Sequence, residues 1–125
     1  MINIEAKAMI DIASKQIIPA VIKYTKSLAD TVNSVTAAGA EASVQSELLA
    51  ETSGLLSDTK VALQKLMDLD KKSEEVPEGT ELAHYFHEEI VPAMAELRAP
   101  VDALEMIVDK EMWPMPSYGD LMFEV

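Results

Sequence analysis

The feature that most constrains this fold is an apolar stripe in the last third of the chain that keeps helical spacing across two prolines. Its members recur at steps of three and four: Leu82, Phe86, Ile90, Ala93, Leu97, Val101, Leu104 and Val108. A proline that ended the helix would leave nothing to keep the later residues in phase. The stripe therefore predicts one long helix, about residues 80–112, bent at one or both of Pro92 and Pro100. The alternative is two helices that separate near Ala99, with Pro100 at a first helical position.

A second stripe predicts another long helix over about residues 3–37. Its members are Ile10, Ala13, Ile17, Val21, Tyr24, Leu28, Val32 and Val35, which recur at the helical period. A further row widens the apolar surface: Met9, Ile18, Ile22 and Ala29. We therefore expect this helix to be covered on more than one side. Pro19 lies within the pattern and predicts a kink, and Gly39 suits the left-handed residue after the last turn.

Between these two segments the pattern predicts a helix over about residues 42–70. Its stripe is Val44, Leu48, Leu55, Ala62, Leu66 and Leu69, flanked by Leu49, Leu56 and Leu63. Ser43 is the candidate N-cap, and Gly54 either weakens the helix or lets another helix come close. The polar segment DKKSEEVPEGT, residues 70–80, predicts the next loop, with Thr80 as the cap of the third helix.

These segments together predict an all-α fold. We expect an antiparallel bundle of three long helices, the third bent at its prolines or split in two, with an extended C-terminal tail. The length fits a single domain over residues 1–125. No segment of useful length alternates between polar and apolar residues, so strands are not indicated.

The closing stretch MWPMPSYGDLMFEV, residues 112–125, holds three of the six aromatic residues of the chain. Its two prolines hold the residues before them away from helical angles. An aromatic side chain buries about 150–250 Å² when it docks, and a typical monomer exposes no apolar patch beyond roughly 300–600 Å². We therefore expect a docking tail that lies in a groove on its own bundle or on a partner: Trp113, Tyr118, Leu121 and Phe123. The alternative is that this tail simply closes the end of the bundle.

The charge of the chain limits the classes of partner that it is expected to bind. A net charge of −12 argues against nucleic acid and anionic membranes, which reward clustered lysine and arginine. Residues 1–72 carry nine acidic and eight basic residues, whereas residues 73–125 carry thirteen acidic and two basic residues. The acidic half is either a solvated surface or a face toward a basic neighbour.

Several features favour a cytoplasmic location. No apolar run approaches the roughly 18 residues needed to cross a bilayer. The N-terminus lacks the basic start and the apolar segment of a signal peptide. The absence of cysteine excludes thiolate catalysis and is compatible with a reducing compartment.

Both histidines lie in the stretch TELAHYFHEEIV, where Glu81, His84 and Glu88 share one helical face. A Glu-x-x-His pair is the element that ferritin-like dimetal bundles use, but such a site needs a second pair on another helix. Since both histidines of the chain lie on one helix, these three residues are candidates only for a mononuclear or intersubunit metal. A solvated polar face is the alternative.

The residues support other active sites poorly. His84 and His87 could suggest a phosphotransfer module, but the neighbouring carboxylates would repel an incoming phosphoryl group. The four glycines are scattered, so no phosphate-binding loop is predicted. Arg98 and Asp102 are expected to form an i,i+4 ion pair. Four methionines are expected to fill gaps in the core: Met9, Met67, Met94 and Met106. The residues themselves predict no self-contained catalytic site.

The sequence resembles the C-terminal region of type III glutamine synthetases, the long bacterial form of the ATP-dependent ligase that joins ammonia to glutamate. The resemblance covers essentially the whole chain. It rests on INIEAKAMIDIASKQIIPAVIKYTKSLADTVN near the start, on the junction AAGAEASVQSELL, and on VPAMAELRAPVDALEMIVDKEMWPMPSYGDLMFEV at the end.

The resemblance implies a non-catalytic structural and assembly domain of a larger, ring-shaped enzyme. Its expected partners are the upstream catalytic domain and neighbouring subunits, and self-association is a further expectation. Since the catalytic regions of the family lie upstream, it implies no catalytic or cofactor-binding residue here, and ATP and divalent metal belong to the full-length enzyme. The chain is then either an expressed fragment or a separate short reading frame. A metal-binding bundle and a histidine phosphotransfer-like module are the alternatives.

Overall fold

The computed structural model of the chain describes residues 2–114, which form three long helices and no strand. The first long helix consists of α1 (Ile2–Ile12), a π-helical turn (Ala13–Ile17) and α2 (Ile18–Ala37). The second is α3 (Ser43–Ser73). The third consists of α4 (Thr80–Tyr85), a second π-helical turn (Phe86–Ile90) and α5 (Val91–Ile107). The predicted all-α bundle of three long helices is therefore confirmed.

The helices pass their prolines by widening one turn. The Ile18 N–H donates to the carbonyl of Ala13, and the Val91 N–H donates to the carbonyl of Phe86, both across five residues. Pro19 and Pro92 come directly after these donors, and each lacks the N–H that a regular helix would use next. The structure thus has a π turn where the sequence predicts a kink. Pro100 lies inside α5 without such a turn, so the third helix is not split there.

The ends of the helices differ in part from the predicted ones. The second helix continues to Ser73, which shortens the predicted loop, and the third ends at Ile107 rather than near residue 112. Ser43 and Thr80 are first helical residues instead of caps, because Ala42 and Gly79 occupy the cap positions and neither makes a side-chain cap bond. These two predicted caps are wrong.

Two glycines have positive φ angles at turns. Gly39 has φ +88°, which confirms the left-handed residue predicted after the first helix, and Gly79 has φ +103°. The third described glycine, Gly54, lies inside α3, and a Cβ placed on it would meet no atom within 4 Å. Gly54 therefore does not serve a close approach between helices.

Three contacts connect the helices of the bundle to one another. Lys7 of the first helix bonds to Asp70 near the end of the second. Lys65 of the second helix bonds to Glu96 of the third, and the Tyr24 hydroxyl donates to the Ile107 carbonyl. Among residues 2–114, no helix combines the length and the apolar composition that crossing a membrane requires.

The core consists of two apolar clusters that lie along the bundle. The first comprises Ala6, Ala13, Leu63, Leu66, Ile90, Ala93, Met94 and Leu97. The second comprises Ile17, Val21, Leu104, Val108 and Trp113. Val101 is partly buried and packs against both, so it joins them into one interior. Met94 fills the core as predicted, whereas Met67 and Met106 are 38% and 86% exposed, so the core role predicted for those two is wrong.

The buried face of α3 differs from its predicted apolar stripe. The buried residues of this helix are Thr52, Thr59, Leu63, Leu66, Asp70 and Ser73. Val44, predicted to lie in the core, is 64% exposed. Since four of the six buried residues are polar, a search for apolar spacing misses this face. Two of them bond within their own helix: Thr59 donates to the Leu55 carbonyl and Ser73 to the Asp70 carbonyl.

Candidate docking surfaces

Trp113 is the one residue of the predicted docking tail that the described part of the chain includes, and it docks on its own bundle. Its side chain is 8% exposed and belongs to the second core cluster. The chain turns back toward the bundle at Val108, whose backbone is extended, with ψ 139°. This turn explains why the third helix ends before residue 112.

The turn that carries Trp113 is organised by Asp109. Its carbonyl accepts the N–H groups of Met112 and Trp113, and its carboxylate accepts the Glu111 N–H at 2.9 Å. This is the arrangement in which an aspartate begins a helical turn. Tyr118, Leu121 and Phe123 lie outside the described residues, so their docking stays a prediction.

Three buried polar atoms have no hydrogen-bond partner within the described structure, namely Nε1 of Trp113, Oγ1 of Thr52 and Oδ1 of Asp70. An unsatisfied buried donor or acceptor costs about 1–3 kcal/mol. The hydrophobic burial of the indole therefore outweighs an unpaired N–H.

Two hydrogen bonds connect all three helices at the opposite end of the bundle. Lys7 Nζ lies 2.9 Å from Asp70 Oδ2, and the Tyr85 hydroxyl donates to the Leu69 carbonyl at 2.7 Å. The hydrogen bond to Asp70 raises the pKa of Lys7. Burial raises the pKa of Tyr85, and the charges of Glu89 and Asp70 add to this effect. Because each of these side chains bonds to a neighbouring helix, the two bonds support the packing of the bundle.

The three metal-ligand candidates lie on the outside of the bundle. Glu81, His84 and Glu88 are exposed and line one open depression with Tyr85 and Val76. Within residues 2–114, no three histidine or acidic side chains come close enough together to hold a metal ion. The structure thus brings the candidates to one surface without assembling them into a ligand set.

Arg98 does not form the predicted ion pair with Asp102. Its Nη2 lies 3.9 Å from the sulfur of Met9 instead, so the side chain reaches from the third helix to the first. The predicted pair is wrong, and the reason is that an exposed ion pair adds too little free energy to hold two long side chains together.

A surface that sequence reasoning missed is an open apolar groove between the first and second helices. This outer groove has a volume of about 510 Å³ and is lined by Ile18, Ile22, Leu56, Ser57, Lys60 and Val61. No residue of the third helix lines it. Ile22 is 52% exposed and Val61 is 71% exposed. Two members of the second apolar row predicted on the first helix, Ile18 and Ile22, therefore face this groove, whereas Met9 packs against the first core cluster.

The third helix presents a different surface, which we call the acidic face. It consists of exposed residues at steps of three to four and seven: Glu88, Val91, Ala95, Asp102 and Met106. Val91 is 38% exposed and Met106 is 86% exposed. The described stretch 73–114 that contains this face carries eleven acidic and two basic residues, so it accounts for most of the negative charge of the chain.

Comparison with known proteins relates this chain to a family. The sequence profile described as glutamine synthetase C-terminal domain matches residues 1–36, most of the first helix. The type-3 glutamine synthetase of Dictyostelium discoideum is 30% identical over 128 residues, which include 98% of this chain and 17% of that protein. A glutamine synthetase of Bacteroides fragilis is 27% identical over 128 residues, with 98% of this chain and 18% of the relative covered.

The chain spans less than a fifth of the length of these curated relatives, at 17% and 18%. The match nevertheless runs through all three helices, because it includes 98% of the chain. The profile and both relatives name the same enzyme. The chain therefore belongs to the family of the C-terminal domain of type-3 glutamine synthetases.

Proposed function

We propose that this chain is a non-catalytic structural domain of a type-3 glutamine synthetase that packs against the catalytic part and supports the assembly of subunits. The observation that carries this proposal is the apolar interior of the bundle, in a chain that belongs to that family. Its two core clusters consist of apolar side chains from all three helices. ATP-dependent ligation needs preorganised charged groups around phosphates and metal, whereas Asp70, the one buried charged residue among those described, forms an ion pair with the half-exposed Lys7.

The partners in this proposal are the catalytic region of the enzyme and the neighbouring subunits. The outer groove and the acidic face supply the surfaces, since exposed apolar side chains flanked by charge are typical of protein interfaces. ATP and divalent metal act in the catalytic region. A cytoplasmic location accompanies the proposal, because the chain contains no cysteine.

The test removes the matching region from the full-length Bacteroides fragilis relative. We expect the truncated enzyme to lose its assembled state in light scattering coupled to size-exclusion chromatography, and glutamine formation to fall with it. A truncated enzyme that assembles normally would contradict the structural role. A full-length variant with the Trp113→Ala equivalent provides a milder control.

The isolated chain tests the non-catalytic part of the proposal. We expect no glutamine formation and no ATP binding by calorimetry. ATP affinity in the micromolar range would contradict this expectation.

The same preparation tests the metal-binding alternative that Glu81, His84 and Glu88 suggest. We expect metal analysis of the purified chain to give no stoichiometric transition metal. Bound metal that disappears in a His84→Ala, His87→Ala double variant would instead favour a metal-binding bundle.

A further inference from the structure

We propose that the C-terminal tail, residues 115–125, binds along the paired ends of the first and second helices of its own chain, beyond the end of the third helix. We call this surface the tip face, and it consists of Leu28, Val32, Val35 and Leu48. The inference goes beyond the proposed function, and its failure leaves the truncation test of that function unaffected.

The tip face lies where the third helix has already ended. The Tyr24 hydroxyl donates to the carbonyl of Ile107, the last residue of the third helix, so this helix ends level with Tyr24. The first helix continues to Ala37, about 20 Å farther at 1.5 Å per residue. Within residues 2–114, neither core cluster includes a side chain from residues 25–54. The described structure therefore supplies no third helix to this part of the helix pair.

The tip face continues the apolar stripes that form the core. Leu28, Val32 and Val35 extend the stripe of the first helix at steps of four and three, and Leu48 lies two turns before Leu55 of the second cluster. Leu28 is 8% exposed, whereas Val32, Val35 and Leu48 are only half-buried. The cover over this stripe thus decreases toward the end of the helix pair.

The tail begins beside the base of the tip face. Trp113 belongs to the second cluster, and Tyr24 packs against that cluster. Residues 115–125 reach at most about 36 Å at roughly 3.3 Å per residue, which exceeds the length of the face. The outer groove lies between the first and second helices, and no residue of the third helix lines it. To enter that groove the tail has to cross a helix about 10 Å wide, so the tip face is the more direct path.

The contact is apolar rather than ionic. Tyr118, Leu121, Met122 and Phe123 fall within six residues of the tail, and an aromatic side chain buries about 150–250 Å² when it docks. The tail adds two acidic residues, and residues 25–54 carry four acidic residues and one basic residue, so charge does not draw the two together. We therefore expect the contact to persist at high salt, which screens charges.

The attachment at Trp113 favours the tip face of the same copy over that of a second copy. The Trp113 side chain is 8% exposed on its own bundle, which holds the start of the tail near one tip face. A short flexible connection gives an effective concentration on the order of 1 mM. A second copy competes only in solutions that approach this concentration.

The first experiment places a spin label on the tail of the full chain. The chain contains no cysteine, so Asp120→Cys gives a single attachment site and leaves the apolar side chains of the tail unchanged. We expect the strongest paramagnetic broadening of methyl NMR signals at Val32 and Val35. Ile22 and Val61 are the control, because they line the outer groove, and their signals should broaden less. Strongest broadening at Ile22 and Val61, or equally weak broadening at all four, would overturn the inference.

A mixed sample distinguishes the tail of the same copy from that of a second copy. Spin-labelled chain without isotopes is mixed with isotope-labelled chain that carries no spin label. We expect no broadening in this mixture, at roughly 0.1 mM, well below the effective concentration of the attached tail. Broadening of Val32 and Val35 there would place the tail on a second copy and would contradict the proposal.

The second experiment couples the tail to the tip face through stability. Deletion of residues 115–125 should lower Tm by roughly 4 °C or more. Val35→Ala should lower Tm in the full chain and have a smaller effect in the truncated chain, because the shared contact is already lost.

Val61→Ala is the matched control for this cycle. It brings the same gain in helix propensity as Val35→Ala, but Val61 lines the outer groove, so its effect on Tm should be equal with and without the tail. If the effect of Val35→Ala is also equal in the two backgrounds, the tail does not bind the tip face.

Discussion

At the scale of single residues, the two buried threonines of α3 differ in one hydrogen bond. Thr59 donates to the Leu55 carbonyl, whereas Oγ1 of Thr52 is buried without a partner. Valine has the same shape and no hydroxyl, so Thr52→Val should raise the free energy of unfolding by about 1 kcal/mol. Thr59→Val should be neutral or slightly destabilising. Urea unfolding measures both, and the reverse order of stabilities would show that the Thr52 hydroxyl has a partner.

Trp113 contributes to stability by packing in the second core cluster. Truncation of a buried aromatic side chain costs about 3–5 kcal/mol, so Trp113→Ala should lower the free energy of unfolding by that amount. Met112→Ala is the control, because Met112 precedes Trp113 directly and is 39% exposed, and it should cost less than about 1 kcal/mol. Equal small effects in thermal unfolding would mean that the indole does not dock on the bundle.

Tyr85 should make the fold sensitive to alkali. Its pKa in the folded chain is raised above the ordinary value of 10.0, so the folded state holds the phenolic proton more tightly than the unfolded state does. This contribution is complete below pH 10 and is lost as pH rises through the raised pKa. Lys7, raised above 10.5, acts in the same direction.

Stability should therefore be level from neutral pH to about pH 9 and fall above pH 10. In Tyr85→Phe the alkaline fall should be shallower. At neutral pH this variant should lose about 1 kcal/mol with the bond to Leu69. Denaturant midpoints at several pH values give the answer, and an unchanged alkaline slope in the variant would contradict the assignment.

At the scale of elements, the two proline-containing helices share one local solution. Residues 17–20 and 90–93 read Ile-Ile-Pro-Ala and Ile-Val-Pro-Ala, and each begins at the last residue of a π turn. Ile17 and Ile90 end these turns and are buried at 4% and 0% exposure. The wide turn removes the demand for the missing N–H and also directs an isoleucine into the core. The repeated tetrapeptide is the sequence signal that could have identified the π turns.

The glycine in the middle of α3 weakens that helix without a compensating contact. A Cβ at Gly54 meets open space, so Gly54→Ala should stabilise the chain by up to about 1 kcal/mol through helix propensity. Gly39→Ala is the matched contrast, because its φ of +88° strains any residue with a Cβ, and it should destabilise. Thermal unfolding of both variants decides, and destabilisation by Gly54→Ala would reveal a hidden contact.

At the scale of the whole molecule, the two core clusters should unfold together. Val101 packs against both clusters, and each long helix contributes to at least one of them. The single tryptophan of the chain reports on the second cluster, while far-UV circular dichroism reports on all helices. We expect the two signals to follow one transition in urea. Separate midpoints would show that the clusters are independent units.

Much of the architecture could be predicted because its causes are local. The helices follow from the helical spacing of apolar residues and from the positions of the prolines. The turn after the first helix follows from the glycine at residue 39. The predicted caps failed because each helix begins one residue earlier than predicted, a difference that apolar spacing does not resolve. The outer groove could not be predicted from the sequence, since it depends on how the first and second helices pack against each other.

The sequence by itself determined the number and order of the helices, their continuity across prolines and the family. Only the tertiary structure decided which side of α3 is buried, where the third helix ends and what Arg98 contacts. The reason is physical: a position is buried when another helix covers it, whatever its own polarity. Thr52 and Asp70 lie inside because their neighbours enclose them, and Met106 lies outside because no described element reaches it. Local periodicity records the preference of each residue, whereas burial depends on the partner that the fold supplies.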